Sequence, residues 1–185
     1  MNFAVFLDRD GVINKTVVRN GKPYPPANVD EIVFPLGTVE AINSIQSSGY
    51  LVIVVTNQPD VAKGIQSKEM VEAIHGIIRQ RLQVDDIKVC YHIDEDNCFC
   101  RKPKPGMIID AAKEHTIDLK RSYMIGDRWR DIEAGKAAGC KTILVQPEVA
   151  YNETQAQGMD ATVDSLYEAA IFIRSHASEK RGSNA

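Results

Sequence analysis

Two aspartates separated by one residue, Asp8 and Asp10, follow a short apolar run from Phe3 to Leu7. On an extended chain, residues two apart share a side, so both carboxylates are expected to point the same way, roughly 6 to 7 Å apart, with Arg9 turned away. A transferring phosphoryl group fits between two such carboxylates. Thr56 and Asn57 close a second apolar run, Tyr50 to Val55, and Gly126 and Asp127 close a third, Tyr123 to Ile125. Alone, Asp8, Asp10 and Gly11 would make only a polar turn; convergence with Asp127 shifts the reading toward chemistry. Separately, Cys90, His92, Cys98 and Cys100 form a Cys-x-His-x5-Cys-x-Cys constellation. Four nitrogen and sulfur ligands are the complement of tetrahedral Zn²⁺, and a site filled by protein ligands leaves no position for an activated water. A zinc ion there is expected to be structural, pinning the segment that carries Arg101 and Lys102. The competing reading is buried thiols with an incidental histidine.

The elements that must position these residues alternate in type. Phe3 to Leu7, Tyr50 to Val55, Ile87 to Tyr91, Tyr123 to Ile125 and Thr142 to Val145 read as strands. Between and after them, helical spacing predicts helices over Thr38 to Ser48, from Ser67 to Leu82, Pro105 to Glu114, Asp131 to Ala138 and Ser165 to Arg174. This succession implies parallel strands in an α/β, doubly wound, Rossmann-like sheet, whose ligands sit beyond the carboxyl ends of the strands. The proline-rich stretch 14–35 reads as a long excursion from the first strand, of the kind that often carries function. One domain over residues 1–176 is expected, followed by a disordered tail over 177–185.

Composition narrows the partners. The 185 residues are 44% apolar and 25% charged, which suits a folded globular chain, and the formal net charge of −3 offers no broad cationic surface for nucleic acid or an anionic membrane. The longest strongly apolar run is too short to span a bilayer, and Asp8 interrupts the N-terminal one, so neither a membrane anchor nor a signal peptide is expected. A cytoplasmic location follows as the expectation, with reduced cysteines. Cys140 reads as a small buried apolar residue, and His75 and His115 as residues without a catalytic role.

FLDRDGVIN at 6–14, VVTNQ at 54–58, RKPKPGM at 101–107 and MIGDRWRDI at 124–132 together resemble the four motifs of the haloacid dehalogenase (HAD) superfamily of Mg²⁺-dependent phosphatases, in order and over most of the chain. The cysteine cluster is similar to that of the group holding heptose-bisphosphate and histidinol-phosphate phosphatases. The resemblance implies a HAD fold without a large cap domain, acting on a small phosphorylated sugar; a monomer is expected. It makes Asp8 the nucleophile that forms an aspartyl phosphate and Asp10 the general acid and base. Mg²⁺ would be held by Asp8, the main-chain carbonyl of Asp10 and Asp127. Thr56 and Lys102 would bind the phosphoryl oxygens, Asp131 would orient the metal site or cap its helix, and Asn57, Gln58 and Arg101 would contact substrate or support the loops. The expected substrate is a heptose 1,7-bisphosphate losing its 7-phosphate. Histidinol phosphate is the alternative, because the acidic run Asp94, Glu95 and Asp96 could attract its amine. A noncatalytic zinc-stabilised interaction module is the alternative of another class, though it would not need Asp8, Asp10, Lys102 and Asp127 together. A 3′-phosphatase for nucleic-acid ends is disfavoured by the acidic balance.

Overall fold

The computed structural model describes residues 1–149 and 154–182, with residues 177–182 described by backbone alone. In chain order the elements are β1 (Phe3–Leu7), β2 (Val17–Arg19), β3 (Lys22–Tyr24), α1 (Thr38–Ser47), β4 (Tyr50–Asn57), α2 (Lys68–Leu82), β5 (Asp86–Cys90) and α3 (Gly106–Glu114). They continue with β6 (Tyr123–Gly126), α4 (Trp129–Ala138), β7 (Lys141–Val145), β8 (Ala161–Val163) and α5 (Leu166–Gly182). Six strands form one parallel sheet in the order β5-β4-β1-β6-β7-β8, and β2 and β3 form a separate antiparallel hairpin.

Parallel strands covered on both faces need apolar residues at every position rather than every second one. Ala4, Val5, Phe6 and Leu7 of β1 are accordingly all buried. The pleat sends Val5 and Leu7 to one face, with Val52, Val54 and Ile125 and against Ile42, Ile74, Ile78 and Ile173 of α1, α2 and α5. Phe6 goes to the other face with Ile53, Val55 and Met124, against Ile108 of α3 and Ala134 of α4. Each large aliphatic side chain so buried contributes about 1.5–3 kcal/mol, which makes the middle of the sheet a rigid platform. Helix α2 starts where Ser67 caps it, the Ser67 hydroxyl oxygen accepting from the Met70 amide at 3.1 Å.

The structure adds to the expected elements in three places. The excursion after β1 contains the β2–β3 hairpin, turning at Asn20 and Gly21, both at positive φ. Asn-Gly between short strands is a known hairpin signal, but three-residue strands and Pro23 hide the periodicity. Strand β8 is likewise too short to show an alternation. Helix α5 is assigned through Gly182, past Ala177 where the tail was expected to begin, and residues 183–185 lie outside the described residues. No helix among the described residues is long and apolar enough to cross a membrane.

Candidate active site

The strand order reverses at β1, which has β4 on one side and β6 on the other, and the carboxyl ends of these three strands open one crevice. Asp8 follows β1 directly, its amide donating to Ile125 O of β6 at 2.9 Å. Beyond it the chain turns tightly, the amides of Ile13 and Asn14 donating to Arg9 O at 2.9 and 3.1 Å. Gly11 sits in this turn at φ +90°, and a Cβ there would lie 2.0 Å from Asp127 Oδ2. Glycine thus lets the β1 loop pass directly against Asp127.

The turn also corrects the expected direction of Arg9. Side-chain alternation holds only while the chain is extended, and it ends with Leu7. Arg9 is fully buried, and its guanidinium folds onto Asp10: Nε lies 3.1 Å from each carboxylate oxygen, and Nη2 donates to Oδ2 at 2.9 Å. Asn14 Nδ2 donates to Asp10 Oδ1 at 3.0 Å and Gln58 Nε2 to Oδ2 at 2.9 Å. Burial alone would raise the Asp10 pKa, but Arg9, with the Asn14 and Gln58 bonds, outweighs it and holds the carboxyl below its ordinary range.

Lys102 reaches the crevice from the loop after the cysteine cluster and is almost entirely buried. Its Nζ donates to Asp8 Oδ1 at 2.7 Å and Val55 O at 2.8 Å, and pairs with Asp131 Oδ1 at 2.5 Å. Desolvation favours the neutral amine, but Asp131 and Asp8 outweigh it and the Lys102 pKa rises. Burial pushes the Asp8 carboxyl up to about 6 despite the Lys102 charge, with Asp131 and Asp10 adding to the rise. At neutral pH Lys102 is therefore an ammonium and Asp8 mostly a carboxylate. Asn57 clamps the Lys102 backbone, accepting from its amide at 3.1 Å and donating to its carbonyl at 3.0 Å.

Carboxylate oxygens of Asp8, Asp127 and Asp131, all buried, lie within 4.8 Å of one another. Three hard oxygen donors in so small a volume fit Mg²⁺. The tightness is built in: a Cβ on Gly126 would come within 2.1 Å of Asp131 Cβ, so only glycine lets Asp131 lie over the end of β6. Asp131 also accepts from the Arg128 amide at 3.1 Å through Oδ2. The same side chain therefore caps α4, one of the two roles expected of it, and also pairs with Lys102.

The four cluster residues come together at the end of β5. Cys100 Sγ lies 3.0 Å from Cys90 Sγ and 3.4 Å from Cys98 Sγ, Cys90 Sγ lies 3.7 Å from Cys98 Sγ, and His92 Nδ1 lies 3.5 and 3.3 Å from Cys90 and Cys100. A tetrahedron with Zn–S of about 2.3 Å has edges of about 3.8 Å between sulfurs, so these donors sit close to zinc-binding geometry. The cluster is tied to the crevice, the Gln58 amide donating to Cys90 O at 2.7 Å.

Around this centre runs a cleft of about 510 Å³, floored by Asp8, Asp10, Thr56 and Lys102 and rimmed by Tyr24, Pro25, Lys63, Ile65 and Arg130. Asp94 faces the rim between two cations, accepting at Oδ1 from Arg101 Nε at 2.7 Å and from Arg130 Nη1 at 3.1 Å. Thr56 Oγ1 accepts from Gln58 Nε2 at 2.9 Å, which leaves the hydroxyl hydrogen for another acceptor. Asn57 and Gln58, expected as substrate contacts or loop supports, are engaged with protein groups and also line the cleft. The expectations for Arg9 and His75 missed their joint burial, and Arg130 was not singled out although it lies within the fourth motif. Cys140 is buried as expected, and burial pushes its thiol up to about 12. His115 pairs with Asp86 at 2.9 Å, away from the cleft.

A carboxylate at the end of β1, a buried lysine bridging to it, and an acidic cation site at the switch point of a parallel sheet define a phosphatase of the HAD type. Residues 99–169 match the family model described as HAD-hydrolase-like. The chain is 33% identical over 186 residues to a D-glycero-β-D-manno-heptose-1,7-bisphosphate 7-phosphatase from Pasteurella multocida, covering 94% of this chain and 98% of that protein. It is 38% identical over 148 residues to the enzyme of that name from Rhodopseudomonas palustris, covering 74% and 79%. The crystal structure of D,D-heptose 1,7-bisphosphate phosphatase from B. bronchiseptica, complexed with magnesium and phosphate, superposes with a TM-score of 0.80 at 30% identity, covering 95% of this chain and 99% of that one. The chain belongs to this heptose-bisphosphate phosphatase family.

Proposed function

We propose that the chain removes the 7-phosphate of D-glycero-β-D-manno-heptose 1,7-bisphosphate and leaves the 1-phosphate, acting in the cytoplasm as a monomer. The observation that carries the reading is the buried Asp8–Lys102–Asp131 constellation at the floor of a cleft whose rim is cationic. Asp8, which lines the cleft, is the nucleophile; its carboxylate bonds to phosphorus as the ester oxygen leaves, giving an aspartyl phosphate. Lys102 and the Thr56 hydroxyl hold the equatorial oxygens as charge builds on them. Asp10 gives a proton to the departing alkoxide and takes one from the water that cleaves the aspartyl phosphate. Arg9 keeps Asp10 ionised at rest, and an arriving dianionic ester favours its proton uptake by adding negative charge nearby.

Asp8, Asp127 and the Asp10 carbonyl would hold Mg²⁺, with Asp131 bracing the site. Bound there, the ion neutralises the approach of an anionic nucleophile to an anionic ester. Zn²⁺ on Cys90, His92, Cys98 and Cys100 would fix the loop that ends in Arg101 and Lys102, and takes no part in the reaction.

The rim favours the bisphosphate over histidinol phosphate. Asp94, the leading candidate to attract an amine, is already neutralised by Arg101 and Arg130. These two arginines and Lys63, only loosely paired with Asp60 at 3.7 Å, offer charge-assisted bonds to a second phosphate. Phosphate release measured with both anomers of the bisphosphate and with histidinol phosphate tests the reading. The β-bisphosphate should lead histidinol phosphate at least tenfold in kcat/KM, and a reversed order would refute the substrate assignment.

A further inference from the structure

Behind Asp10, on the side away from the cleft, lies a buried polar chain that the reaction as described does not use. Arg9 engages Asp10 through Nε and Nη2, and its remaining terminal nitrogen, Nη1, lies 3.2 Å from His75 Nε2. His75 belongs to α2 and is fully buried. A guanidinium can only donate, so Nε2 must be the acceptor and the ring proton must sit on Nδ1. There it faces Glu72 Oε1 at 3.5 Å, and Glu72 in turn accepts from the Tyr91 hydroxyl at 2.6 Å.

Amphipathic helices seldom bring a histidine to their fully buried face without a partner for it, and here the partner is a buried arginine whose other face holds a carboxylate. The groups facing the ring are Arg9 from the β1 loop and Glu72 and Arg79 from α2. Burial, then the Arg9 charge, pushes the ring pKa down to about 4, so it is neutral wherever the protein is folded near neutral pH. A charged ring would set two cations against each other in the core.

We propose that His75 is a positioning residue for Asp10, its Nε2 lone pair orienting the Arg9 guanidinium so that the Asp10 carboxylate is held toward the cleft. The assignment rests on Asp10 being the acid and base of the proposed reaction. Removing the acceptor leaves a buried Arg9 N–H without a partner, at a cost of about 1–3 kcal/mol, and frees the guanidinium to shift. Proton transfer is sensitive to such displacement, whereas substrate binding through Lys102 and Thr56 is not.

The test compares His75→Leu, which keeps bulk but has no acceptor, with His75→Gln, whose amide oxygen can reach the position of Nε2. His75→Leu should lose about tenfold or more in kcat with KM within about twofold, and His75→Gln should retain kcat within about threefold of the parent. A merely structural role would lower both variants in step with their melting temperatures, and that result overturns the proposal, as does an unaltered kcat in folded His75→Leu. The ¹⁵N spectrum of the His75 ring in the unmutated protein gives a reading independent of turnover. A neutral ring protonated on Nδ1 is expected at pH 7; one protonated on Nε2 overturns the network. An unmutated protein that releases no phosphate from the bisphosphate, yet shows the expected ring, refutes the substrate reading instead.

Discussion

Replacing Lys102 by Met separates two consequences of one buried charge. The ammonium sits between Asp8 at 2.7 Å and Asp131 at 2.5 Å, and methionine keeps the length of the side chain while removing every donor. Two carboxylates are then left facing each other out of water, and breaking a buried pair in this way costs about 3–5 kcal/mol. Lys102 is also the largest influence lowering the Asp8 pKa, which stands at about 6 with it in place; without it, Asp8 should hold its proton to higher pH in the metal-free protein, and Mg²⁺ should bind less tightly near neutral pH because it must displace that proton. Loss of the charge on the transferring oxygens should cost a further 10²- to 10³-fold in kcat, about 2.7–4 kcal/mol. Steady-state phosphate release in saturating Mg²⁺ from pH 6 to 9, beside urea denaturation, resolves the parts. Activity of the variant should climb with pH as Mg²⁺ displaces the proton from Asp8 more readily, and at the alkaline plateau it should remain at least about a hundredfold below the parent. A plateau within about tenfold of the parent would refute the view that the ammonium stabilises the transition state.

Asp8→Asn should fold, because the position holds no core, and should show neither turnover nor a phosphorylated chain by intact mass. Cys98→Ser should release about one zinc ion per chain by elemental analysis and lower the melting temperature, since metal binding orders the loop; turnover should fall because Arg101 and Lys102 follow directly, and added Mg²⁺ should not restore it. His75 gives a pH dependence of stability with a definite sign. Its folded pKa of about 4 lies below the ordinary 6.5, so between these values the unfolded chain binds a proton that the folded one excludes. Its contribution is complete above about pH 6.5 and falls away toward pH 4, by roughly 3 kcal/mol. Asp8, raised to about 6 from 3.8, works oppositely, being protonated first in the folded state, so the stability difference between the parent and His75→Gln is the quantity to follow. A difference that does not change with pH would contradict the buried neutral ring.

The strand ends were legible because apolar runs covered on both faces are continuous, and the polar residue that stops each run, Asp8, Thr56 or Asp127, faces the crevice. The cysteine cluster was legible for the same local reason: its ligands lie within eleven residues. What could not be read were contacts made where periodicity lapses. Arg9 was expected to turn away because alternation was carried two residues past the last strand position, into the Gly11 turn. His75 belongs to an apolar stripe on α2, and its partner is sixty-six positions away in sequence. The β2–β3 hairpin escaped notice because its strands are three residues long, although the Asn20–Gly21 pair marks its turn. Asp94 was read as an attractor of cations, yet two arginines brought from different elements already occupy it.

The hairpin that rims the cleft hangs from the sheet by two stretches of loop, whereas Asp8, Thr56 and Lys102 are fixed to or clamped against the central strands. Bond breaking and choice of ester are thereby written on separate pieces of chain. Drift in residues 17–25, or in the turn that bears Lys63 and Ile65, can change which phosphorylated molecule is admitted while the attacking carboxylate and its lysine stay where they are. A lineage built on this plan can acquire new substrates through its least constrained residues and keep one reaction throughout.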